Sequence, residues 1–472
     1  MLSKLKEIFK INKINPKATI SKKDLELYNK NRPKNTKDTF CFAPSVNLYF
    51  SWEGKVIACC YNQKYELGNY PEQSIREIWD GQPARELRES LHNYDLSKGC
   101  ESCSIEIQHG RYQSVNALRF DEYQTNDFPK MMEFQLTNTC NLQCVMCSGF
   151  LSSSIRKHRD NLPEIPMKFD SNFVDQLVEF LPNLEYTMFS GGEPFLIPIY
   201  YDIWNKLAEL NPNCSITVIT NGTILNNRVK ALLEKNNFSI TISVDSPIKE
   251  NYENIRIGAS FDRVVDNAEF FSQYCKKKGT IFNLNFCPMI SNWRELPQFI
   301  ELCNSLNASV YFSIVYNPWK LSLSKLSKNE LELINERIED EIQERNLPLN
   351  DNLKKLRQLL LKFKKWGIAN GNPIELPKVS LENFRSLLIQ KTLQFEKQSD
   401  ENIRIVNKRI EESLELISIK GAHINLGFPY EELRKATPEA LFNTLLNNTA
   451  EKLTEDLIAA YELYYSEKNR IV

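Results

Sequence analysis

Long apolar runs are missing from this chain of 472 residues. None reaches the ~18 residues that a membrane-crossing helix needs, so no membrane association is expected. A surplus of either charge is missing too, since 59 Lys and Arg stand against 60 Asp and Glu. That balance argues against an extended basic surface, and with it against a large nucleic-acid footprint. The opening MLSKLKEIFKINKI mixes Lys with Leu, Ile and Phe. It lacks the continuous apolar stretch and the small-residue cleavage site of a secretory signal. It reads as a solvated, partly packed terminal helix, and the cytoplasm is the expected compartment. Histidine is scarce. His92, His109, His158 and His423 stand singly and read as ordinary polar or packed residues.

What remains is the composition of a globular protein, 42% apolar and 25% charged, long enough for two or three domains. Cysteine is plentiful and unevenly spread. Of 12 cysteines, Cys41, Cys59, Cys60, Cys100, Cys103, Cys140, Cys144 and Cys147 precede residue 150. In a reducing compartment such clusters favour metal ligation over disulfides. Cys214, Cys275, Cys287 and Cys303 are scattered through apolar or mixed segments and read as small core residues.

From residue 132 a strand–helix alternation sets in. Strand-like runs fall at 132–137, 185–190, 215–220, 239–244, 281–286 and 309–316, with helical spacing at 199–210, 226–236, 261–278 and 295–307 between them. Six such units predict parallel strands with right-handed helical crossovers, curling into a full or partial barrel. Ligands then belong at the C-terminal strand ends. Beyond residue 320, a capping-box pattern from Ser327 to Glu330 and three-to-four apolar spacing at 352–366 predict a mostly helical region.

The first barrel strand runs into TCNLQCVMCSG, with Cys140, Cys144 and Cys147 inside eight residues. Thiolates at this density bind soft or borderline metals. A structural zinc site asks for four ligands, so three leave it to be completed by a distant group. A [4Fe–4S] cube held by three cysteines keeps one iron open instead.

Cys-x3-Cys-x2-Cys after a first barrel strand resembles the signature of the radical S-adenosylmethionine superfamily. SGGEP at the second strand end resembles its GGE motif, through Gly191, Gly192, Glu193 and Pro194. The resemblance implies a partial (β/α)6 TIM-like barrel and a radical-generating [4Fe–4S] cluster on Cys140, Cys144 and Cys147. It implies S-adenosylmethionine with its methionyl amino group at GGEP, the glycines permitting close approach and Glu193 supplying an anionic acceptor. ITNGT and the region SVDSP…YENIRIG resemble segments of relatives that carry auxiliary clusters. By that likeness Ser243 and Arg256 engage the carboxylate of S-adenosylmethionine, Asn221 lies near its ribose, and Asp245 lines the substrate side. Met146 stands where the superfamily often has an aromatic residue near adenine; a thioether also packs on a π-face.

Upstream, Cys41, Cys59, Cys100 and Cys103 offer four separated thiolates, with a hairpin turn at Gly54. A four-cysteine zinc site is one reading. With its LGN…IREIW segment, the region also resembles the Twitch or half-SPASM auxiliary [4Fe–4S] module. That module ordinarily follows the barrel, whereas here it precedes it. Cys60 is the alternate to Cys59, and spacing from Gly54 favours Cys59. VNLYFSW reads as strand core.

The expected organisation is an N-terminal arm (1–38), a Twitch/SPASM-like module (39–125), the barrel (126–320) and a helical C-terminal region (321–472). The resemblance implies reductive cleavage of S-adenosylmethionine to a 5′-deoxyadenosyl radical, which abstracts hydrogen from a peptide or protein substrate. Dehydrogenation or rearrangement of a sugar-like small molecule is the alternative, and a non-catalytic metal-binding scaffold is the alternative of another class. A cytoplasmic electron donor such as flavodoxin or ferredoxin is the expected partner.

Overall fold

The computed structural model describes residues 20–30, 32–123, 127–370, 380–395, 399–420 and 438–455. The opening segment MLSKLKEIFKINKI and His423 lie outside the described residues. Two compact units are present: the described part of Asn15–Pro318 with Arg337–Leu359, and Trp319–Glu336 with the described residues from Leu360 onward.

The first unit is organised by one sheet of nine strands. These are β1 (Asn47–Ser51), β2 (Lys55–Ile57), β3 (Gly68–Asn69), β4 (Met131–Gln135), β5 (Tyr186–Phe189), β6 (Ser215–Thr220), β7 (Phe238–Ser243), β8 (Phe282–Phe286) and β9 (Ser309–Phe312). Their order is β3-β2-β1-β4-β5-β6-β7-β8-β9. From β4 to β9 every neighbouring pair is parallel, giving the partial (β/α)6 barrel that the resemblance implies and that the six-unit alternation accommodates. All six expected strands form, as do the helices Pro198–Leu210, Asn227–Lys235, Phe261–Lys278 and Leu296–Ser305. Among the described residues no helix is long and apolar enough to cross a membrane.

The cysteine-rich region is joined to the barrel as further sheet. β1 runs parallel to β4, with Asn47 opposite Met131 and Ser51 opposite Gln135, and β2 returns antiparallel to β1. Gly54 makes the turn between them at φ +85°, in the left-handed region that favours glycine. The side chains alternate with the pleat. On one face Phe50 stacks on Phe134 at 5.5 Å and Phe134 on Phe189 at 4.8 Å, with Phe173 edge-on to Phe50 at 5.2 Å. This aromatic row crosses β1, β4 and β5 without a break, and all four rings are buried.

The opposite face is polar. Asn47 donates from Nδ2 to Glu133 Oε1 (2.9 Å), Arg119 pairs with the same oxygen (3.3 Å), and Tyr49 donates to Gln135. Asn283 donates to Thr241 and Ser313 to Asn285 on the later strands. A closed TIM barrel fills this space with branched apolar side chains. Here it is lined by groups that bind polar atoms.

The described part of the arm is packed down. Tyr28 donates to Phe40 O, and Arg32 forms a buried bidentate pair with Asp121 at 2.7 Å. In the second unit the helices Leu381–Leu393, Asp400–Lys420 and Pro438–Leu446 share a core that includes Phe384, Leu388, Val406, Ile410, Leu414 and Phe442. Ser327 and Glu330 form the expected capping contacts.

Because the aromatic row spans both parts of the sheet, Phe50→Ala is expected to destabilise the first unit by about 3–5 kcal/mol. Denaturant unfolding should give one transition, with the cysteine-rich region and the barrel lost together. Two separated transitions would contradict a shared core.

Candidate functional site

The loop after β4 is closed on itself before any ligand is considered. Ser153 Oγ accepts from Cys140 N–H (3.1 Å), Asn138 Nδ2 donates to Gly149 O (2.9 Å), and Ser152 Oγ donates to Leu142 O (2.7 Å). A second set of bonds ties the loop to the segment beyond β7. Gln143 N–H donates to Ile257 O and Val145 N–H to Ile255 O, both at 2.9 Å. Arg256 sits between those two acceptors. Its Nη1 lies 3.8 Å from Cys144 Sγ, and its Nη2 is 2.7 Å from Asp245 Oδ2. Its Nε is buried without a partner. Burial pushes the Cys140 and Cys147 thiols up to about 11. Cys144 is raised by burial as well, while Arg256 pulls it back down.

The glycines at the end of β5 lie against the backbone that leads into the cysteine loop. Gly191 and Gly192 adopt φ +81° and +53°. A Cβ on Gly192 would stand 2.0 Å from Thr139 O, and one on Gly191 would stand 2.9 Å from Thr137 O. They permit a close approach of the strand-to-cysteine backbone, and Glu193 N–H donates to Thr139 O (2.7 Å). The Glu193 carboxylate is fully buried. It accepts from Thr220 Oγ1 (2.7 Å), Asn221 N–H (2.7 Å) and Phe195 N–H (3.1 Å). Burial pushes this carboxyl up to about 7 against the pull of those donors. Glu193 therefore joins the ends of β5 and β6, and Pro194 opens the short turn Pro194–Leu196 behind it.

The other expected residues converge on the same strand ends. Asn221 donates to Asn141 Oδ1 (2.9 Å), and its Nδ2 lies 4.0 Å from Cys140 Sγ, so it touches the cysteine loop. Ser243 is buried at the end of β7, and Met146 is half-buried in the loop. Asp245 departs from the expectation of a substrate-facing carboxylate. It is fully buried, with Oδ2 on Arg256 and Oδ1 accepting from Cys287 N–H (2.7 Å), so it orients Arg256. Cys287, read from sequence as a core residue, lies beside that pair rather than in the apolar layer that holds Cys214, Cys275 and Cys303.

The upstream cysteines form a second assembly. Cys41, Cys59, Cys100 and Cys103 line one small cavity with apolar walls that include Phe40, Ala58, Leu87 and Phe120. Cys60 does not line it. Donors point at the sulfurs: Ala43 N–H to Cys41 Sγ at 3.3 Å, Asn62 Nδ2 to Cys100 Sγ at 3.6 Å, and backbone N–H groups of Asn116 and Ala117 to Cys103. Burial pushes the Cys59 thiol up to about 12, and Cys103 adds to that shift. His109 is exposed at a helix end and bonds Ile105 O, away from this cavity.

Residues 134–303 match the model of the Radical SAM superfamily, and residues 41–104 match that of SPASM, an iron-sulfur cluster-binding domain. The chain carries a radical SAM domain preceded by a SPASM domain. Among curated proteins it resembles an AdoMet-dependent heme synthase of Methanosarcina barkeri (26% identical; 39% of this chain, 49% of that protein). It also resembles a GTP 3′,8-cyclase of Limosilactobacillus fermentum (27% identical; 41% and 55%). The chain spans about half the length of these curated relatives. Among solved structures it aligns with Streptococcus suis SuiB bound to S-adenosylmethionine (17% identical, TM-score 0.36; 55% and 57% covered). It aligns likewise with anSMEcpe with bound AdoMet (19%, TM-score 0.36; 47% and 62%).

The radical SAM domain works with S-adenosylmethionine and a [4Fe–4S] cluster, and the SPASM domain holds further iron–sulfur chemistry. The residues fit both. Buried and half-buried thiols met by N–H donors, the upstream four within apolar walls, suit thiolates neutralised by a metal centre. Among the described residues no three His, Cys, Asp or Glu converge tightly enough for a single metal ion. A cube gripped at separate corners does not require that. The orphaned Nε of Arg256 suits the carboxylate of S-adenosylmethionine.

Gly192→Ala should displace Thr139 and with it Cys140. Iron bound by the radical SAM domain is expected to fall several-fold, while the SPASM site stays loaded. Separate Mössbauer quantification of the two clusters checks this, and full loading of both would contradict the packing reading.

Proposed function

We propose that the chain is a radical SAM enzyme that abstracts hydrogen from a peptide or protein substrate, with the SPASM cluster assisting. In this reading 39–125 is the auxiliary module and 126–320 the catalytic barrel, flanked by the arm 1–38 and the helical region 321–472. When bound at Cys140, Cys144 and Cys147, the cluster and S-adenosylmethionine supply a 5′-deoxyadenosyl radical by reductive cleavage. The chain's own residues do the rest. Arg256 Nε and Ser243 hold the ligand's carboxylate, and the backbone at Gly191–Pro194 receives its amino end. Met146 packs on its adenine, and Asn221 anchors the cysteine loop near its ribose. Strand ends at the barrel mouth orient the reacting carbon and exclude water. Cys41, Cys59, Cys100 and Cys103 enclose the auxiliary centre completely, which suits electron transfer from a substrate radical. A flavodoxin or ferredoxin of the cytoplasm is the proposed donor.

One observation carries the peptide reading. Thr137, Asn138 and Thr139, which lead into Cys140, also form one wall of an open groove of about 670 Å³. Arg156, Lys157 and Glu164 line it together with Leu162, Ile165 and Met167, a mixture that suits an extended chain with alternating side chains. A second reading, a polar small molecule, is favoured by the polar inner face of the strands and by likeness to a cyclase of GTP and a heme synthase.

Anaerobic reconstitution followed by dithionite and S-adenosylmethionine tests the enzyme. 5′-Deoxyadenosine should form and should be lost in Cys144→Ala; a fully loaded wild type that cleaves nothing would leave a metal-binding scaffold. Cys59→Ala should cost one cubane's worth of iron and sulfide, whereas Cys60→Ala should cost none. Zinc at the SPASM site, or equal loss in both variants, would overturn that ligand set.

A further inference from the structure

Arg256 has a second neighbour that binding of S-adenosylmethionine does not explain. Its Nη1 is turned to Cys144 Sγ at 3.8 Å, and its Nη2 is held by Asp245 at 2.7 Å. Asp245 is fixed in turn, by Cys287 N–H on Oδ1 (2.7 Å) and by Asn292 Nδ2 on its carbonyl (2.8 Å). The backbone bonds from Gln143 and Val145 to Ile257 and Ile255 bracket Arg256, so its guanidinium and the cysteine loop move as one piece. Arg256 is buried, Asp245 wholly so, and solvent screening of this charge pair is weak.

Resting on the radical SAM reading above, we propose that Arg256 is a positioning residue for cluster reduction. Its positive charge on the Cys144 thiolate, partly offset by Asp245, sets how readily the centre held by Cys140, Cys144 and Cys147 accepts an electron. The step is one electron from the donor, or from dithionite in the test, onto the cluster, with no bond made or broken. Added negative charge is delocalised onto the sulfur ligands. A cation within hydrogen-bonding reach of one sulfur stabilises the reduced form, and hydrogen bonds and net charge around the sulfurs are what tune such centres. An anion behind the cation works in the opposite sense. The two residues therefore carry opposite signs, which a merely structural role would not give.

The experiment is an EPR-monitored redox titration of the full chain with both clusters loaded, without S-adenosylmethionine. The signal belonging to this cluster is assigned beforehand as the one that changes when S-adenosylmethionine is added to the wild type. Arg256→Gln should lower the midpoint so that the reduced-to-oxidised ratio at a fixed potential falls about tenfold, equivalent to 59 mV for one electron. Arg256→Lys should recover part of the loss, and Asp245→Asn should shift the midpoint upward. Shifts of the same sign in Arg256→Gln and Asp245→Asn, or no shift in either with the cluster fully loaded, would overturn the proposal. If Arg256→Gln fails to load iron, the sign of the Asp245→Asn shift still decides. A wild type with no signal that responds to S-adenosylmethionine would instead sink the radical SAM reading itself.

Discussion

A thiolate buried in an apolar loop is tolerated only beside compensating positive charge or N–H donors. That constraint governs the whole mouth of this barrel. The loop from Cys140 to Cys147 satisfies its own backbone through Ser152, Ser153 and Asn138, then takes two more bonds from the segment carrying Arg256. The β5 end is drawn against it through glycines that have no Cβ to collide with Thr137 and Thr139. Glu193 then couples β5 to β6. Four strand ends are thereby fixed around three sulfurs, and the one unsatisfied guanidinium N–H of Arg256 is left in their midst.

The same economy of contacts accounts for the order of the domains. A SPASM domain placed ahead of the barrel needs a route to the edge of β4. β1 supplies it by lying parallel to β4 in a five-residue register, with the hairpin partner β2 on its far side. The Phe50–Phe134–Phe189 row seals one face and the Asn47–Glu133–Arg119 contacts the other. Two of the auxiliary cysteines, Cys41 and Cys59, flank the hairpin that extends the barrel sheet, which is the kind of support a fixed cluster-to-cluster distance requires.

Much of this was legible in sequence because it is local. Period-two runs gave the six barrel strands, and their helices followed from three-to-four spacing. The cysteine spacing pointed to both cysteine groups, and the offset from Gly54 favoured Cys59, which lines the cavity, over Cys60, which does not. What was hidden depends on contacts distant in the chain. Nothing near Asp245 says that its carboxylate faces Arg256 and Cys287 N–H rather than substrate. Nothing near Gly192 says that its close neighbour is Thr139. The pairing of β1 with β4 joins residues more than 80 positions apart. Cys287 offered one faint clue, since it continues the alternation of β8 by one residue past the strand end, as Asp245 follows Ser243 beyond β7.

The central claim is that three thiols leave one iron free to take the amino acid portion of S-adenosylmethionine. Electron–nuclear double resonance on the reduced protein, with nitrogen-15 in the amino group and oxygen-17 in the carboxylate of S-adenosylmethionine, measures that contact directly. Strong hyperfine coupling to both labels is expected. Their absence from a fully loaded, reduced cluster, or a fourth protein ligand on the unique iron, would contradict it.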